Sequence, residues 1–279
     1  MRSIPLLMYH SIDERVTEDY SRWAVSSRRF GEQLSVLADE GYEVLTISQL
    51  VERLQSGTQL PDKCTALTFD DGLQDFATGA MPVLETFGLS ATLYVVAGLV
   101  GCTSRWLSPL GEGSRPMLDA AELRNLVAKG IEIGAHSMTH PQLDLLAPEQ
   151  ARAEIVGSRN VLEDILGARV RSFAYPHGYA SRTTRNIVRD AGFSSALRVR
   201  HALSSDSEDR FGLSRLIITE DVGPTELKTL LRGENLPIAP PQDRLLSQGW
   251  RFVRRNVLRE QRHFNLQPEF GTAKMEQAS

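Results

Sequence analysis

From residue 4 to residue 232, short apolar runs alternate with amphipathic stretches, several of which stop at a glycine. That alternation confines the chain to an α/β architecture built on a parallel sheet. The runs at 4–9, 42–46, 64–69, 91–97, 131–135, 170–174, 193–199 and 213–218 read as strands. They are short, apolar and rich in strand-favouring residues. Helices are expected from Ser26 or Ser27 to 39 and over 47–55, 74–86, 118–129, 148–166, 181–191 and 225–232. Ser26 or Ser27 and Asp119 supply caps, Pro148 a first-turn proline, and Gly41, Gly57, Gly130 and Gly192 the stops. Segments 13–25 and 98–117 show no periodicity and read as long loops over the mouth of the fold.

The chemistry sits where strands end. Run 64–69 leads into Asp70-Asp71-Gly72, so two carboxylates leave one strand end together. Neighbours in an extended chain face opposite sides, and a turn at Gly72 can bring both to one mouth. Two carboxylates that close repel unless a cation or hydrogen bond intervenes. A metal ion would resolve the conflict, with one Asp as ligand and the other as base. A plain Asp-Asp-Gly turn is the competing reading. Run 131–135 leads into His136-Ser137-Met138-Thr139-His140. Histidines at i and i+4 can share a face of a helical turn and converge on one ion, although a lone pair of this kind is often only surface. Asp with two His is a common open metal site.

Together with Phe173-Ala174-Tyr175-Pro176-His177-Gly178, these two stretches resemble, in order and spacing, three motifs of the polysaccharide deacetylases with a NodB homology domain (carbohydrate esterase family 4). The resemblance spans roughly residues 4–218. It implies a deformed, incomplete (β/α) barrel of about seven parallel strands, followed here by a C-terminal helical extension. It also implies that Asp70 is the general base and that Asp71, His136 and His140 hold a divalent metal, usually Zn2+, with Co2+ or Ni2+ as substitutes. Met8-Tyr9-His10 fits the branch resembling poly-N-acetylglucosamine deacetylases, in which the catalytic histidine lies near the N-terminus. His10 is then the candidate general acid. On the residues alone, a histidine at a strand end is more often structural.

By the same resemblance, a main-chain N–H near Tyr175, Pro176 and His177 faces the oxyanion. Two departures from the pattern stand out. Ala174 occupies a place where an arginine often orients the base; Arg171 or Arg215 can substitute, and the sequence does not choose between them. His177 stands where a tyrosine is frequent. Trp106 is either a stacking wall for a sugar ring or a residue packed on the rim.

Composition narrows the partners. A net charge of −4 is too mild to imply nucleic acid. Cys64 and Cys102 make no disulfide framework, and Cys64 reads as a reduced thiol in a buried strand. Residues 1–8 make a poor signal peptide and no stretch reaches transmembrane length, so the chain is read as cytoplasmic. Domain boundaries are expected at 1–235 for the deacetylase-like domain and 236–279 for a proline-containing linker, a basic amphipathic helix at 245–263 and a disordered tail. That helix either packs on its own domain or makes peripheral contact with an anionic membrane. The oligomeric state is not readable.

Three functions compete. The first is hydrolysis of an N-acetyl group on an amino sugar in an N-acetylated glycan or oligosaccharide, in exopolysaccharide or envelope synthesis. The second is deacetylation or deformylation of a lipid-carrier-linked amino sugar. The third is carbohydrate binding without turnover, against which the intact set of Asp70, Asp71, His136 and His140 argues.

Overall fold

The computed structural model describes residues 2–234 and 236–238. Seven parallel strands form the main sheet: β1 (Leu6–Tyr9), β2 (Cys64–Phe69), β3 (Thr92–Val95), β4 (Glu132–Ala135), β5 (Ser172–Ala174), β6 (Ser195–Leu197) and β7 (Leu216–Ile217). Their order across the sheet is β7-β1-β2-β3-β4-β5-β6. The two edges meet through one isolated parallel bridge, Leu197 with Leu213. There the Leu213 N–H donates to Ala196 O and the Arg198 N–H to Leu213 O. The sheet therefore curls into a deformed, incomplete barrel whose closure is a single short seam.

The strand expected at 42–46 shrinks to Glu43–Val44, which pairs only with Cys64 and Thr65 at the start of β2. From Thr68 onward β2 pairs instead with β3. Around the barrel lie α1 (Ser27–Asp39), α2 (Ile47–Ser56), α3 (Met81–Phe87), α4 (Ala120–Ala128), α5 (Pro148–Leu166), α6 (Arg182–Asp190) and α7 (Pro224–Arg232). Ser26 caps α1 by accepting from the Arg29 N–H, and Asp119 caps α4 in a reciprocal pair with Glu122. The helix expected over 74–86 opens with a wide π-type turn at Phe76–Ala80 before α3 begins.

Strands buried on both faces read as continuous apolar runs, and β1 and β2 are buried at every position. Leu7 and Tyr9 of β1 and Leu67 and Phe69 of β2 pack on the helices. The alternate residues Leu6 and Ala66 join Tyr94, Ala174 and Leu197 in a second cluster with α2. Under the two motif-bearing strand ends, Phe30 of α1 meets Tyr9 and Phe69 edge-on at ring separations of 5.2 and 5.6 Å. Cys64 is a buried free thiol and Cys102 an exposed one.

The loop expectations need one refinement: 13–25 contains a 3-10 turn at Glu18–Trp23, and 98–117 contains another at Arg105–Leu110. At 236–238 the chain still touches the domain, since the Leu203 N–H donates to Pro237 O and Leu203 bridges Ile238. The expected amphipathic helix at 245–263 and the tail lie outside the described residues. Among those described, no helix is long and apolar enough to cross a membrane.

Candidate active site

The motif residues converge at the C-terminal mouth of the strands, where α/β folds gather their ligand-binding loops. After β2 the chain passes through two consecutive left-handed residues, Asp71 (φ 79°) and Gly72 (φ 81°). A side chain at Gly72 would meet Val95 at 3.0–3.2 Å, so this turn needs glycine. The double turn separates the two carboxylates: Asp70 faces an arginine, and Asp71 faces two histidines.

Arg215 is that arginine. It is fully buried, and its Nη1 and Nη2 donate to Asp70 Oδ1 and Oδ2 at 2.6 and 2.7 Å, a bidentate fork. Its Nε donates to Arg198 O, and its guanidinium lies 5.7 Å from the Tyr94 ring. Arg171 lies elsewhere: it is half exposed and pairs with Glu52 at 2.6 Å. Burial by itself would raise the Asp70 carboxyl. The Arg215 charge and hydrogen bonds, with His136 and His10, outweigh it and hold Asp70 down to about 2. Asp70 is thus ionised at neutral pH.

Asp71 shows the opposite behaviour. Burial and the neighbouring charges of Asp70 and Asp75 push its carboxyl well above the usual range, with Arg215 opposing. Its Oδ1 is buried without a hydrogen-bond partner. His140 Nε2 and His136 Nε2 lie 3.4 and 3.7 Å from that oxygen. Ligand atoms of Asp71, His136 and His140 fall within 4.8 Å of one another. His136 is held by Nδ1 against Ala174 O at 2.8 Å, which fixes the proton there and turns the Nε2 lone pair toward Asp71. Burial lowers both histidines, His140 strongly, so both are neutral and able to coordinate. An orphaned carboxylate oxygen facing two neutral imidazoles fits a divalent cation.

The pair does not share a helical turn, as the i, i+4 spacing suggested. Ser137 (φ 66°) and His140 (φ 63°) are left-handed, and the loop is pinned by Glu154 of α5. Glu154 accepts from the Met138 and Thr139 N–H groups, both at 2.9 Å, and from the Thr139 hydroxyl at 2.7 Å. No sequence motif pointed to Glu154.

Aromatic groups frame the mouth. Trp106 stacks on His140 at 5.2 Å, and His177 meets His140 edge-on at 4.7 Å. His10 packs on Trp23 at 4.7 Å, because Ser11 exchanges backbone hydrogen bonds with Trp23 and Val25. Trp23 was not singled out by sequence, since its loop carries no motif. Burial pulls His10 down to about 4, against the raising effect of the Asp70 charge, so its resting form is neutral rather than protonated. Of the third motif, the Tyr175 N–H is spent on Leu197 O at 3.0 Å and its hydroxyl on Phe211 O. Pro176 has no N–H, and His177 follows in a left-handed conformation (φ 58°).

A family model for polysaccharide deacetylase matches residues 57–196. The Streptococcus pyogenes deacetylase PplD, solved in complex with acetate, superposes with a TM-score of 0.73 at 26% identity, over 82% of this chain and 98% of that one. IcaB from Ammonifex degensii gives a TM-score of 0.72 at 25% identity, over 83% of this chain and 98% of that one. An 81-residue stretch is 33% identical to the poly-beta-1,6-N-acetyl-D-glucosamine N-deacetylase of Escherichia coli (strain K12), covering 29% of this chain and 12% of that protein. With its motifs gathered at one barrel mouth and half its length matched by the family model, this chain belongs to the polysaccharide deacetylase family.

Proposed function

We propose that the protein is a metal-dependent hydrolase that removes the N-acetyl group from an amino sugar in a polysaccharide or oligosaccharide. The observation that carries this reading is the division of labour between adjacent carboxylates: Asp70 ionised in the Arg215 fork, Asp71 orphaned beside two neutral histidines. Asp71, His136 and His140 would hold the ion. When bound there, a divalent cation polarises an amide carbonyl and acidifies water.

The chain's own residues supply the rest. Asp70 accepts the proton of the attacking water, and Arg215 keeps the carboxylate oriented and charged for that task. Negative charge on the acyl oxygen calls for a main-chain donor. By the resemblance, that donor is a main-chain N–H of the third motif near Tyr175 or His177, and the Tyr175 N–H is engaged with Leu197 O. The departing amine needs a proton, and His10 delivers it. Because His10 rests neutral, the proton it hands to the amine is the one that Asp70 has taken from water. Trp23 and Trp106 present rings on which the apolar face of a pyranose can stack. The name of the matching Escherichia coli relative favours an N-acetylglucosamine polymer as substrate.

The test is amine release from N-acetylated chitooligosaccharides by metal-stripped protein, with zinc, cobalt or nickel restored, beside Asp70→Asn. Metal-dependent release that the substitution abolishes is the expected result. One metal bound per chain without release would sink this substrate class. No metal bound at all would overturn the assignment of Asp71, His136 and His140.

A further inference from the structure

His10 and the two tryptophans stand on segments outside the barrel strands and the α-helices, and such segments wander unless tied. The ties converge on Arg115, which is 9% exposed. Its Nη2 donates to Asp75 Oδ2 at 2.5 Å, Ser11 Oγ at 3.0 Å and Asp13 Oδ2 at 3.3 Å. Its Nη1 donates to Glu112 Oε2 at 3.3 Å. One guanidinium thus joins the loop after β1, the turn after the Asp70-Asp71 pair and the Trp106 loop.

The joints are reinforced around it. Asp75 also accepts from the Ser11 hydroxyl at 2.8 Å and the Ile12 N–H at 3.2 Å. Glu112 Oε1 accepts from the Thr17 N–H, and the Thr17 hydroxyl donates to Leu110 O at 2.6 Å. The Tyr20 ring lies 5.7 Å from the Arg115 guanidinium and packs in one cluster with Trp23 and Trp106. Asp75 and Glu112 are 8% and 7% exposed, so removal of Arg115 would leave two buried carboxylates without their cation. Each would keep only its neutral donors, Ser11 and Ile12 for Asp75 and Thr17 for Glu112, with no charge to balance it. Ser11 is the residue next to His10.

We propose that Arg115 is a positioning residue for this site, a buried clasp that sets His10 and Trp23 on one side and Trp106 on the other at fixed distance from Asp70. The role rests on the deacetylase reading above. Arg115 touches neither the reacting groups nor Asp71, His136 or His140, so its loss spares metal binding and damages turnover. A purely structural residue would lower stability without that split.

The experiment compares wild type, Arg115→Met and Arg115→Lys by steady-state kinetics on N-acetylated chitooligosaccharide, zinc affinity and amide hydrogen exchange. For Arg115→Met, kcat is expected to fall about 100-fold, the scale of a 1 Å misplacement of a catalytic group. Zinc affinity falls by less than the roughly 10–100-fold that loss of a partner bonded to a ligand costs, since Arg115 bonds to none of the three. Peptides covering Ser11, Ile12 and Thr17 exchange faster, and those covering 68–70 do not. Lysine reaches Asp75 but cannot fork to Glu112, so Arg115→Lys regains part of kcat. Wild-type kcat, KM and exchange in Arg115→Met would overturn the clasp, and if that variant does not fold, wild-type values in Arg115→Lys would do the same. Wild type that turns over no N-acetylated sugar sinks the functional reading instead, and exchange at 11–17 still decides whether Arg115 holds the loops.

Discussion

Replacing Arg215 with methionine tests the base assignment. The substitution keeps an unbranched side chain in a fully buried place and removes the fork on both Asp70 oxygens. Arg215 is the strongest influence that opposes burial at Asp70, which is held at about 2 instead of 3.8. That difference corresponds to about 2 kcal/mol of preference for the charged form. Without Arg215, burial is opposed only by His136 and His10, and the Asp70 carboxyl rises from about 2. The acid limb of the kcat/KM profile should therefore move to higher pH. At pH 7, where Asp70 stays ionised, kcat/KM should still drop by about 100-fold through lost orientation. The sign for stability follows from the same shift. A depressed carboxylate stabilises the fold above about pH 4, and that contribution is lost as the pH falls toward 2. Acid denaturation of the variant should accordingly lack a stabilising step in that window. The assay is a pH series of kcat/KM on N-acetylated chitooligosaccharide, with Arg171→Ala as the control. Arg171 pairs with Glu52 away from the site, so its loss should change kcat/KM less than twofold, as expected for a surface ion pair. An Arg215→Met enzyme with an unmoved acid limb, or an Arg171→Ala enzyme as damaged as it, would refute the reasoning.

Other outcomes follow from the same packing. Glu154→Ala would leave two main-chain N–H groups and the Thr139 hydroxyl without their acceptor, and the left-handed turn at His140 would relax. Zinc affinity should weaken by about 10–100-fold in a competition titration, the range for loss of a residue that supports a ligand. Phe30→Ala opens a cavity beneath Tyr9 and Phe69 and should cost about 3–5 kcal/mol, read as a denaturant midpoint shift with metal stoichiometry unchanged. Gly79→Ala sets a methyl group 2.0 Å from Ile12 O, so the loop that follows His10 must lift. Its Tm should fall, and exchange at 11–13 should rise more than exchange at 136–140.

Much of the site was legible because its residues are adjacent in sequence. Asp70-Asp71-Gly72 and His136 through His140 each hang from one strand end, and a parallel barrel sends all strand ends to one mouth. Once the alternation is read, the local motif and the general topology suffice to bring Asp71, His136 and His140 together. The seven-strand count came from the resemblance, and the described residues bear it out. Boundaries were less legible: 42–46 looked like a full strand, but β3 competes for the same edge of β2 and leaves it two residues.

What sequence alone determined is therefore the strand–helix order, the motif carboxylates and histidines, and the family those motifs resemble. What tertiary structure decided is every pairing between distant segments. Arg215 rather than Arg171 reaches Asp70, because the seam that closes the barrel carries residue 215 inward while 171 lies exposed beside Glu52. Trp23 lies on His10, Glu154 under the histidine loop and Arg115 between two loops, for the same reason. Hydrogen bonds and ion pairs depend on distances that closure of the sheet sets, and no local pattern encodes those distances. The protonation of the site is likewise a product of burial. The two neighbouring aspartates behave oppositely because one faces a guanidinium across the seam and the other faces two imidazoles.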